Sequence, residues 1–404
     1  MKRLIVRQPL FNAREVVTAY ELILSFDTEQ LLSGEIKKEE LPDNIRLSLY
    51  GSNGHTDEKL IDVCIDITPA ILLGSDIQRL SKKNVILYLR EPFNSKPEHL
   101  SALERLKADG FRVGLGSFAT DDKYFETAKL ADQLVVDFRG KSESDLRLVP
   151  NWCKSYNIKT VAHNLETRAA FELARKLEYN FFHGPFFHKA EYVSKEAVPG
   201  FKLNYLRLLQ EINDSDISFD KLERIIKQDV SLTYGLLKYI NSAAFGLRME
   251  VESIKHALTL LGIMLVKRWA TMVAIANIGK GLPVEALVTC MVRGKFLEEL
   301  GHKLGHAQRG DDLFFMGIFS LIDLFFSRPL EEILEEMPIK ADIKAAILGD
   351  GGQFAELLSM VKVYEDGDWK PLLASASKLG VSEDHIAGLY FDALDWTQNL
   401  FGSS

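Results

Sequence analysis

Short β-branched and apolar runs alternate with helical patterns through the first half of the chain. The apolar runs predict eight strands, over Leu4–Phe11, Val16–Leu24, Leu60–Ile67, Val85–Glu91, Phe111–Phe118, Leu134–Phe138, Thr160–Glu166 and Tyr179–Phe187. Helices are predicted over Ala70–Lys82, His99–Ala108, Tyr124–Ala131, Glu143–Tyr156 and Thr167–Leu177. Strands that alternate with helices pair in parallel through crossover connections, so this pattern predicts a compact (β/α) barrel. Only Asn12-Ala13-Arg14 separates the first two runs, which predicts a hairpin with one antiparallel strand.

The pattern changes near Pro199-Gly200, after which the strand-like alternation disappears. We predict an all-helical second domain, with helices over Phe201–Ile212, Phe219–Gln228, Ser231–Asn241, Ile254–Leu261, Met264–Ile278, Pro283–Gly301, Asp311–Phe326, Pro329–Met337, Ala341–Leu348, Glu356–Tyr364, Trp369–Leu379 and Glu383–Phe401. Asp216 or Ser218, Asp229 and Ser253 are predicted N-caps, because their side-chain oxygens accept the free N–H groups of a first helical turn. The predicted domains are residues 1–196 and 197–404, with no low-complexity linker between them.

Charge is distributed unevenly along the 404 residues. The whole chain carries 49 Lys and Arg against 57 Asp and Glu, and residues 197–404 carry 21 against 28, a net charge of 21 − 28 = −7. Binding to nucleic acid or anionic membrane depends on basic residues, so this excess disfavours both as partners. The most apolar segment, Ala257–Gly279, is interrupted by Lys267 and Arg268, so no membrane helix is predicted and a cytoplasmic location is expected.

Several motifs resemble two known families. RQPLF at 7–11 and AYELIL at 19–24 resemble the EAL domain, the barrel of bacterial cyclic di-GMP phosphodiesterases. LLKYINSA at 236–243 and MGIFSLID at 316–323 resemble the HDOD domain, a helical relative of HD phosphohydrolases that lacks their metal ligands. The chain as a whole is similar to two-domain EAL–HDOD signalling proteins of bacteria. The resemblance implies an EAL-type TIM-like barrel followed by a helical HDOD bundle.

An active EAL site holds two divalent cations on oxygen ligands at the barrel strand ends, beside a Lys. The resemblance places these retained polar residues in that pocket: Glu21, Asp66, Glu91, Asp137 and Glu166. It also implies several losses. Ser25 replaces an Arg that contacts phosphate, Tyr88 a Glu ligand, Gly116 and Ser117 the paired Asp ligands, Val135 the Lys, His163 a Glu and His183 a Gln.

Without the paired aspartates, the site cannot offset the desolvation of two divalent ions. We therefore expect no cofactor, no hydrolysis of cyclic di-GMP and no tight binding of this nucleotide. The expected function is that of a non-enzymatic signalling protein that contacts other signalling proteins. The resemblance points to bacterial regulation of motility, biofilm formation or related outputs of cyclic di-GMP networks. The sequence leaves homodimer formation open.

A rebuilt metal site is the alternative hypothesis for the barrel. Its ligands would be Glu21, Asp66, His163 and His183, because imidazole and carboxylate suit zinc, manganese or iron. Such a site, centred on the first three of these residues, would make the protein a metal-dependent hydrolase or a nucleotide sensor. Sequence spacing does not show whether these residues converge.

The HDOD motif contributes Asn241 and Ser242 as candidate site residues in the second half. They follow an apolar helix and precede small residues. The favoured interpretation is a helix C-cap and turn, and contact with a ligand is the alternative.

Overall fold

The structure is a computed structural model of the 404-residue chain. It describes residues 4–33, 35, 41, 45–46, 49, 61–90, 97–116, 127–189, 199–214, 216–241 and 250–402. The chain forms two compact units, one of Met1–Lys189 with Lys362–Phe391 and the other of Ala190–Val361 with Asp392–Ser404.

Eight strands close into a barrel in chain order. They are β1 (Ile5–Asn12), β2 (Val17–Leu24), β3 (Asp62–Asp66), β4 (Val85–Leu89), β5 (Arg112–Leu115), β6 (Gln133–Asp137), β7 (Lys159–His163) and β8 (Phe181–His183). Strand β1 is antiparallel to both β2 and β8, and the other neighbouring pairs are parallel. The predicted strands, the barrel and the antiparallel hairpin are therefore confirmed.

The described helices of the barrel half are α1 (Thr28–Ser33), α2 (Pro69–Leu73), α3 (Pro97–Ala108), α4 (Glu143–Ser155) and α5 (Arg168–Lys176). Side-chain oxygens of Thr68, Ser142 and Thr167 accept N–H groups in the first turns of α2, α4 and α5. The helix predicted over Ala70–Lys82 is instead α2 followed by a 3₁₀ segment, because α2 ends at Gly74. The helix predicted over Tyr124–Ala131 falls partly outside the described residues.

Helices make up the second unit. The described helices after residue 199 are α6 (Gly200–Asn213), α7 (Phe219–Gln228), α8 (Val230–Ile240), α9 (Ile254–Ile278), α10 (Val284–Lys303), α11 (Gly310–Phe319), α12 (Ile322–Phe326), α13 (Leu330–Glu336) and α14 (Ala341–Leu348), followed by α15 (Gln353–Asp366), α16 (Trp369–Leu379) and α17 (Glu383–Gly402). Most of α15 and the end of α17 belong to the second unit, whereas α16 and the start of α17 belong to the barrel unit. The all-helical second half is confirmed.

Local sequence signals set several helix ends. Ser218, Asp229 and Ser253 cap α7, α8 and α9 through their side-chain oxygens, which confirms these predicted N-caps. Gly262, with φ of 77°, breaks α9 between the two helices predicted there. The single helix predicted over Asp311–Phe326 is wrong, since α11 ends at Phe319 and α12 begins two residues after Ser320.

Close approach of α10 and α11 depends on two glycines. A Cβ atom on Gly317 would lie 2.5 Å from the Cα atom of Gly294, well inside contact distance. The buried Arg293 beside this crossing donates a hydrogen bond to the Ser320 hydroxyl at 2.8 Å, and that hydroxyl donates to the Gly317 carbonyl at 2.7 Å. This hydroxyl–carbonyl bond satisfies a carbonyl at the end of α11, where the predicted continuous helix stops.

Residues 362–391 group with the barrel rather than with the other helices. The fully buried Tyr364 donates a hydrogen bond to the Ile5 carbonyl in β1 at 2.9 Å. The Trp369 indole nitrogen donates to the Leu24 carbonyl in β2, also at 2.9 Å. The sequence analysis placed this segment in the helical domain. A helical pattern does not reveal which core its apolar face will join.

One described helix, α9, is long and apolar enough to span a membrane by length and composition alone. Half of its most apolar window is buried within the protein. The backbone break at Gly262 interrupts it. Burial and interruption are both typical of the core helix of a folded domain.

Candidate functional site

Polar side chains from several strands meet at the mouth of the barrel. Glu21 lies in β2, Asp66 ends β3, Arg90 directly follows β4, and His163 and His183 end β7 and β8. Strands β2 to β8 run parallel, so their carboxyl ends share one side of the barrel, where barrel enzymes build their sites. Positions 142 residues apart in sequence thus become neighbours.

Glu21, His163 and His183 form a buried cluster. Their relative exposures are only 2%, 8% and 3%. Nε2 of His163 lies 3.2 Å from Oε2 of Glu21, and Nε2 of His183 lies 3.5 Å from the same oxygen. The two imidazole rings stack with centroids 4.2 Å apart and planes 5° from parallel.

Arg90 supplies the positive charge of the cluster. Its guanidinium contacts Oε2 of Glu21 at 2.6 Å and Oδ1 of Asp66 at 3.1 Å. It also lies 3.1 Å from Nε2 of His163. The same Nε2 lies 3.2 Å from Oε2 of Glu21. A guanidinium can only donate and a carboxylate can only accept, so the tautomer of His163 decides which of these two contacts is a hydrogen bond.

The charge on Glu21 is maintained despite its burial. Burial acts to raise the pKa of Glu21, but Arg90, His183 and His163 together outweigh it and hold this pKa well below the usual value. Burial likewise opposes the charge on Arg90, whereas Glu21 and Asp66 raise the pKa of Arg90. The pair is therefore ionised at neutral pH.

Tyr88 fills the barrel interior beneath Arg90. Its ring is fully buried, and its hydroxyl donates to Oε1 of Gln133 at 2.8 Å. A Cβ atom on Gly114 would lie 2.4 Å from this ring, so only glycine leaves room for the tyrosine. At Gly116 the fit is tight but less strict, since the Cα and Cγ atoms of Arg90 lie 3.1 Å from where a Cβ would be.

Arg90 was missed in the sequence analysis. The resemblance treats Tyr88 and Gly116 only as replaced metal ligands, whereas in the fold the Arg90 side chain packs over the Tyr88 ring and against Gly116. A basic residue directly after β4, next to two lost acidic ligands, is the signal that could have identified it.

The remaining candidates are placed differently. Asp137 pairs with Arg139 at 2.6 Å and Glu166 is exposed, so neither belongs to the buried cluster. Glu91 and Ser242 lie outside the described residues. Asn241 is the C-cap of α8, and its side chain exchanges two hydrogen bonds with the backbone of Val251 at 2.8 and 2.9 Å.

The described residues do not fit a pair of hard divalent cations. Mg²⁺ and Mn²⁺ require several oxygen ligands each. Glu21 is the buried carboxylate among the described residues of the mouth, and it already bonds Arg90, as does Asp66. Tyr88 and Gly116 offer no ligand in the places where the resemblance expects carboxylates. We therefore derive no reaction step through such ions.

Acid is expected to destabilise the barrel through His183. Burial lowers the pKa of His183 to about 3, whereas an unfolded imidazole titrates near about 6.5. Between these values the unfolded chain binds a proton that the folded chain does not. The contribution of His183 to the free energy of unfolding is therefore fully present above about pH 6.5 and is lost as the pH decreases toward 3. Lowering the pH from 7 to 5 is expected to cost about 2 kcal/mol at this residue.

Urea unfolding at the two pH values, in buffer containing a chelator, measures this loss. His183→Asn should lose about 2 kcal/mol less than the wild type between pH 7 and pH 5. The exposed His385, in the same unit, provides the control variant His385→Ala, which should behave as the wild type. Equal losses in wild type and His183→Asn would show that His183 is not buried in its neutral form.

Comparison with known proteins adds a family to the second half. Residues 198–325 match the HDOD domain family. The helical half contains an HDOD domain. The chain thus combines an eight-stranded barrel with a helical region that carries this domain, as the sequence analysis predicted.

Two relatives are similar over nearly the whole chain. The uncharacterized protein YuxH of Bacillus subtilis is 27% identical over 413 residues, which covers 99% of both chains. Cyclic di-GMP phosphodiesterase CdgJ of Vibrio cholerae is 20% identical over 399 residues, which covers 98% of this chain and 92% of the relative.

Solved EAL structures are similar to less than half of the chain. An EAL domain protein from Listeria monocytogenes matches 46% of this chain and 87% of its own, at 15% identity and a TM-score of 0.36. The EAL domain of DcpA from Mycobacterium smegmatis matches 45% and 87%, at 17% identity and a TM-score of 0.35.

Proposed function

We propose that this protein is a non-enzymatic signalling protein. Its barrel neither hydrolyses cyclic di-GMP nor binds it tightly, and it acts through contacts with other proteins. The proposed setting is the bacterial cytoplasm, within regulation of motility, biofilm formation or a related output of a cyclic di-GMP network. The likeness to a phosphodiesterase along nearly the full chain supports the link to this nucleotide.

The position of Arg90 is the observation that carries this proposal. Its guanidinium contacts both Glu21 and Asp66, two of the acidic residues that the resemblance places in the pocket. This side-chain cation, 2.6 Å from Glu21, offsets the charge that would otherwise attract a pair of hard divalent ions such as Mg²⁺ or Mn²⁺. The barrel thereby keeps its fold without the ions that activate water in metal-dependent hydrolysis.

The interior of the mouth also supports the proposal. Tyr88 is fully buried where the resemblance places a Glu ligand, and its hydroxyl is engaged by Gln133 at 2.8 Å. Burial raises the pKa of Tyr88 well above its usual value, so it does not supply an anionic oxygen at neutral pH. No described residue at this place substitutes for the missing carboxylate.

Calorimetry tests the proposed absence of tight cyclic di-GMP binding. Cyclic di-GMP titrated into the full-length protein should show no submicromolar binding, with Mg²⁺, with Mn²⁺ or with a chelator. An active EAL phosphodiesterase titrated in parallel confirms that nucleotide and metals are competent. Submicromolar binding that is lost in Glu21→Gln would contradict the proposal.

Affinity purification from the native cell tests the proposal that the protein acts through contacts with other proteins. A tagged full-length chain and its Arg90→Met variant are compared by mass spectrometry. The proposal expects specific protein partners with the wild-type chain. Recovery of the chain alone under conditions that preserve known signalling complexes would argue against function by protein contact.

A further inference from the structure

The Glu21–His163–His183 cluster places three ligand atoms close together at the barrel mouth. One ligand atom from each residue lies within 4.8 Å of the other two, and all three side chains are buried. Two imidazoles and a carboxylate form a donor set that borderline metals such as Zn²⁺ favour over Mg²⁺ or Ca²⁺. Three protein ligands also leave one tetrahedral position open.

The spacing of these atoms suits a single ion. Ligands about 2.0–2.1 Å from a tetrahedral Zn²⁺ lie roughly 3.3–3.4 Å from one another. Oε2 of Glu21 lies 3.2 Å from Nε2 of His163 and 3.5 Å from Nε2 of His183. Two of the three separations are therefore within about 0.2 Å of those in a bound site. The imidazoles of His163 and His183 stack with planes 5° from parallel, so one ring must turn before both in-plane lone pairs can meet one ion.

Acceptor atoms in the cluster lack donors. Among the described residues, neither ring nitrogen of His183 nor Oε1 of Glu21 makes a hydrogen bond. Nε2 of His163 and Oε2 of Glu21 both contact Arg90, at 3.1 and 2.6 Å, and lie 3.2 Å from each other. Buried acceptors without donors are unfavourable, and a metal ion is one group that would satisfy them.

We propose that Glu21, His163 and His183 form a binding site for one Zn²⁺-class ion. The Arg90 guanidinium competes with this ion for Glu21 and His163. Metal binding replaces the guanidinium on Oε2 of Glu21 and on Nε2 of His163. Arg90 then keeps its contact with Asp66, so the mouth has a metal-free and a metal-bound arrangement. This inference goes beyond the proposed function and does not depend on it.

Metal binding by the full-length protein tests the site directly. Equilibrium dialysis against Zn²⁺, with a competing chelator, should give one ion per chain, and Mg²⁺ should not displace it. Co²⁺ used in place of Zn²⁺ should give the visible absorption of a four-coordinate site. Absence of stoichiometric Zn²⁺ in the wild type would overturn the proposal.

Variants separate this site from adventitious binding. His183→Ala or Glu21→Gln should weaken Zn²⁺ binding about 100-fold or more, since each removes a ligand. His385→Ala should change nothing. Circular dichroism confirms that each variant is folded, and the cobalt spectrum of the wild type needs no variant. Unchanged affinity in folded His183→Ala would overturn the assignment of the ligands.

The competitor role of Arg90 has its own test. Arg90→Met should bind Zn²⁺ about tenfold more tightly or better, because the competing cation is gone. A purely structural Arg90 would leave the affinity unchanged or weaken it, and either result would overturn this part of the proposal. Assaying cyclic di-GMP hydrolysis in the same Zn²⁺ buffers shows separately whether the proposed absence of turnover holds.

Discussion

Replacing Arg90 with Met is expected to destabilise the barrel by about 3–5 kcal/mol at pH 7 without added metal. The substitution removes the cation from Glu21, which is 2% exposed, and leaves a buried carboxylate without compensation. Methionine retains most of the aliphatic length, so the loss reports charge rather than a cavity. Urea unfolding of the full-length protein measures this loss of stability, and hydrogen exchange in β2 localises it.

A double-mutant cycle tests the cause of this loss. In Glu21→Gln/Arg90→Met no buried charge remains, so the double variant should be more stable than Arg90→Met alone. Arg139 offers a matched control, because it pairs with Asp137 at 2.6 Å while both side chains are largely exposed, at 62% and 42%. Arg139→Met should cost less than about 1 kcal/mol. A loss in Arg90→Met no larger than that control would contradict a buried ion pair.

Replacing Tyr364 with Ala is expected to destabilise the barrel by about 3–5 kcal/mol. Tyr364 is fully buried, contacts Trp369 and Tyr390 with ring centroids 5.5 and 4.6 Å apart, and bonds the Ile5 carbonyl. The variant removes this packing and leaves a strand carbonyl without its donor. Hydrogen exchange at β1 and β2 should accelerate together with the loss of global stability.

Two further variants provide smaller expected losses of stability for comparison with Tyr364→Ala. Tyr364→Phe keeps the ring and removes one hydrogen bond, so it should cost about 1 kcal/mol. Tyr156→Ala removes a tyrosine that is 45% exposed on the same unit and should cost clearly less than Tyr364→Ala. Unchanged exchange at β1 in Tyr364→Ala would mean that residues 362–391 are not needed for the barrel.

The strands of the barrel could be predicted because each carries a local signal. β-branched runs of strand length, separated by helical periodicity, leave few alternatives for chains of this topology. The predicted runs extend past the observed strands, as for Val85–Glu91 against β4 at Val85–Leu89, where the two extra residues are the charged Arg90 and Glu91. Capping residues such as Ser218 and Asp229 act on the helices that directly follow them, so these N-caps could also be predicted from the sequence.

Features that depend on long-range contact could not be predicted. Tyr364 reaches β1 across 359 residues, and nothing in the periodicity of its helix distinguishes that partner from a helical core. Arg90 acquires its role from Glu21 and His163, which approach it only when the barrel closes. Whether Glu21, His163 and His183 converge could not be predicted from the sequence for the same reason. The non-acidic residues at positions 88 and 116 could be read from the sequence, but the packing of Arg90 against them could not.

Single-turnover hydrolysis tests most directly the claim that a guanidinium has replaced the catalytic metals. Full-length protein in excess over labelled cyclic di-GMP, with Mg²⁺ or Mn²⁺, is followed for linear dinucleotide. We expect no product above the protein-free background, and Glu21→Gln should be indistinguishable from the wild type. Product that increases with protein concentration and disappears in Glu21→Gln would contradict the account.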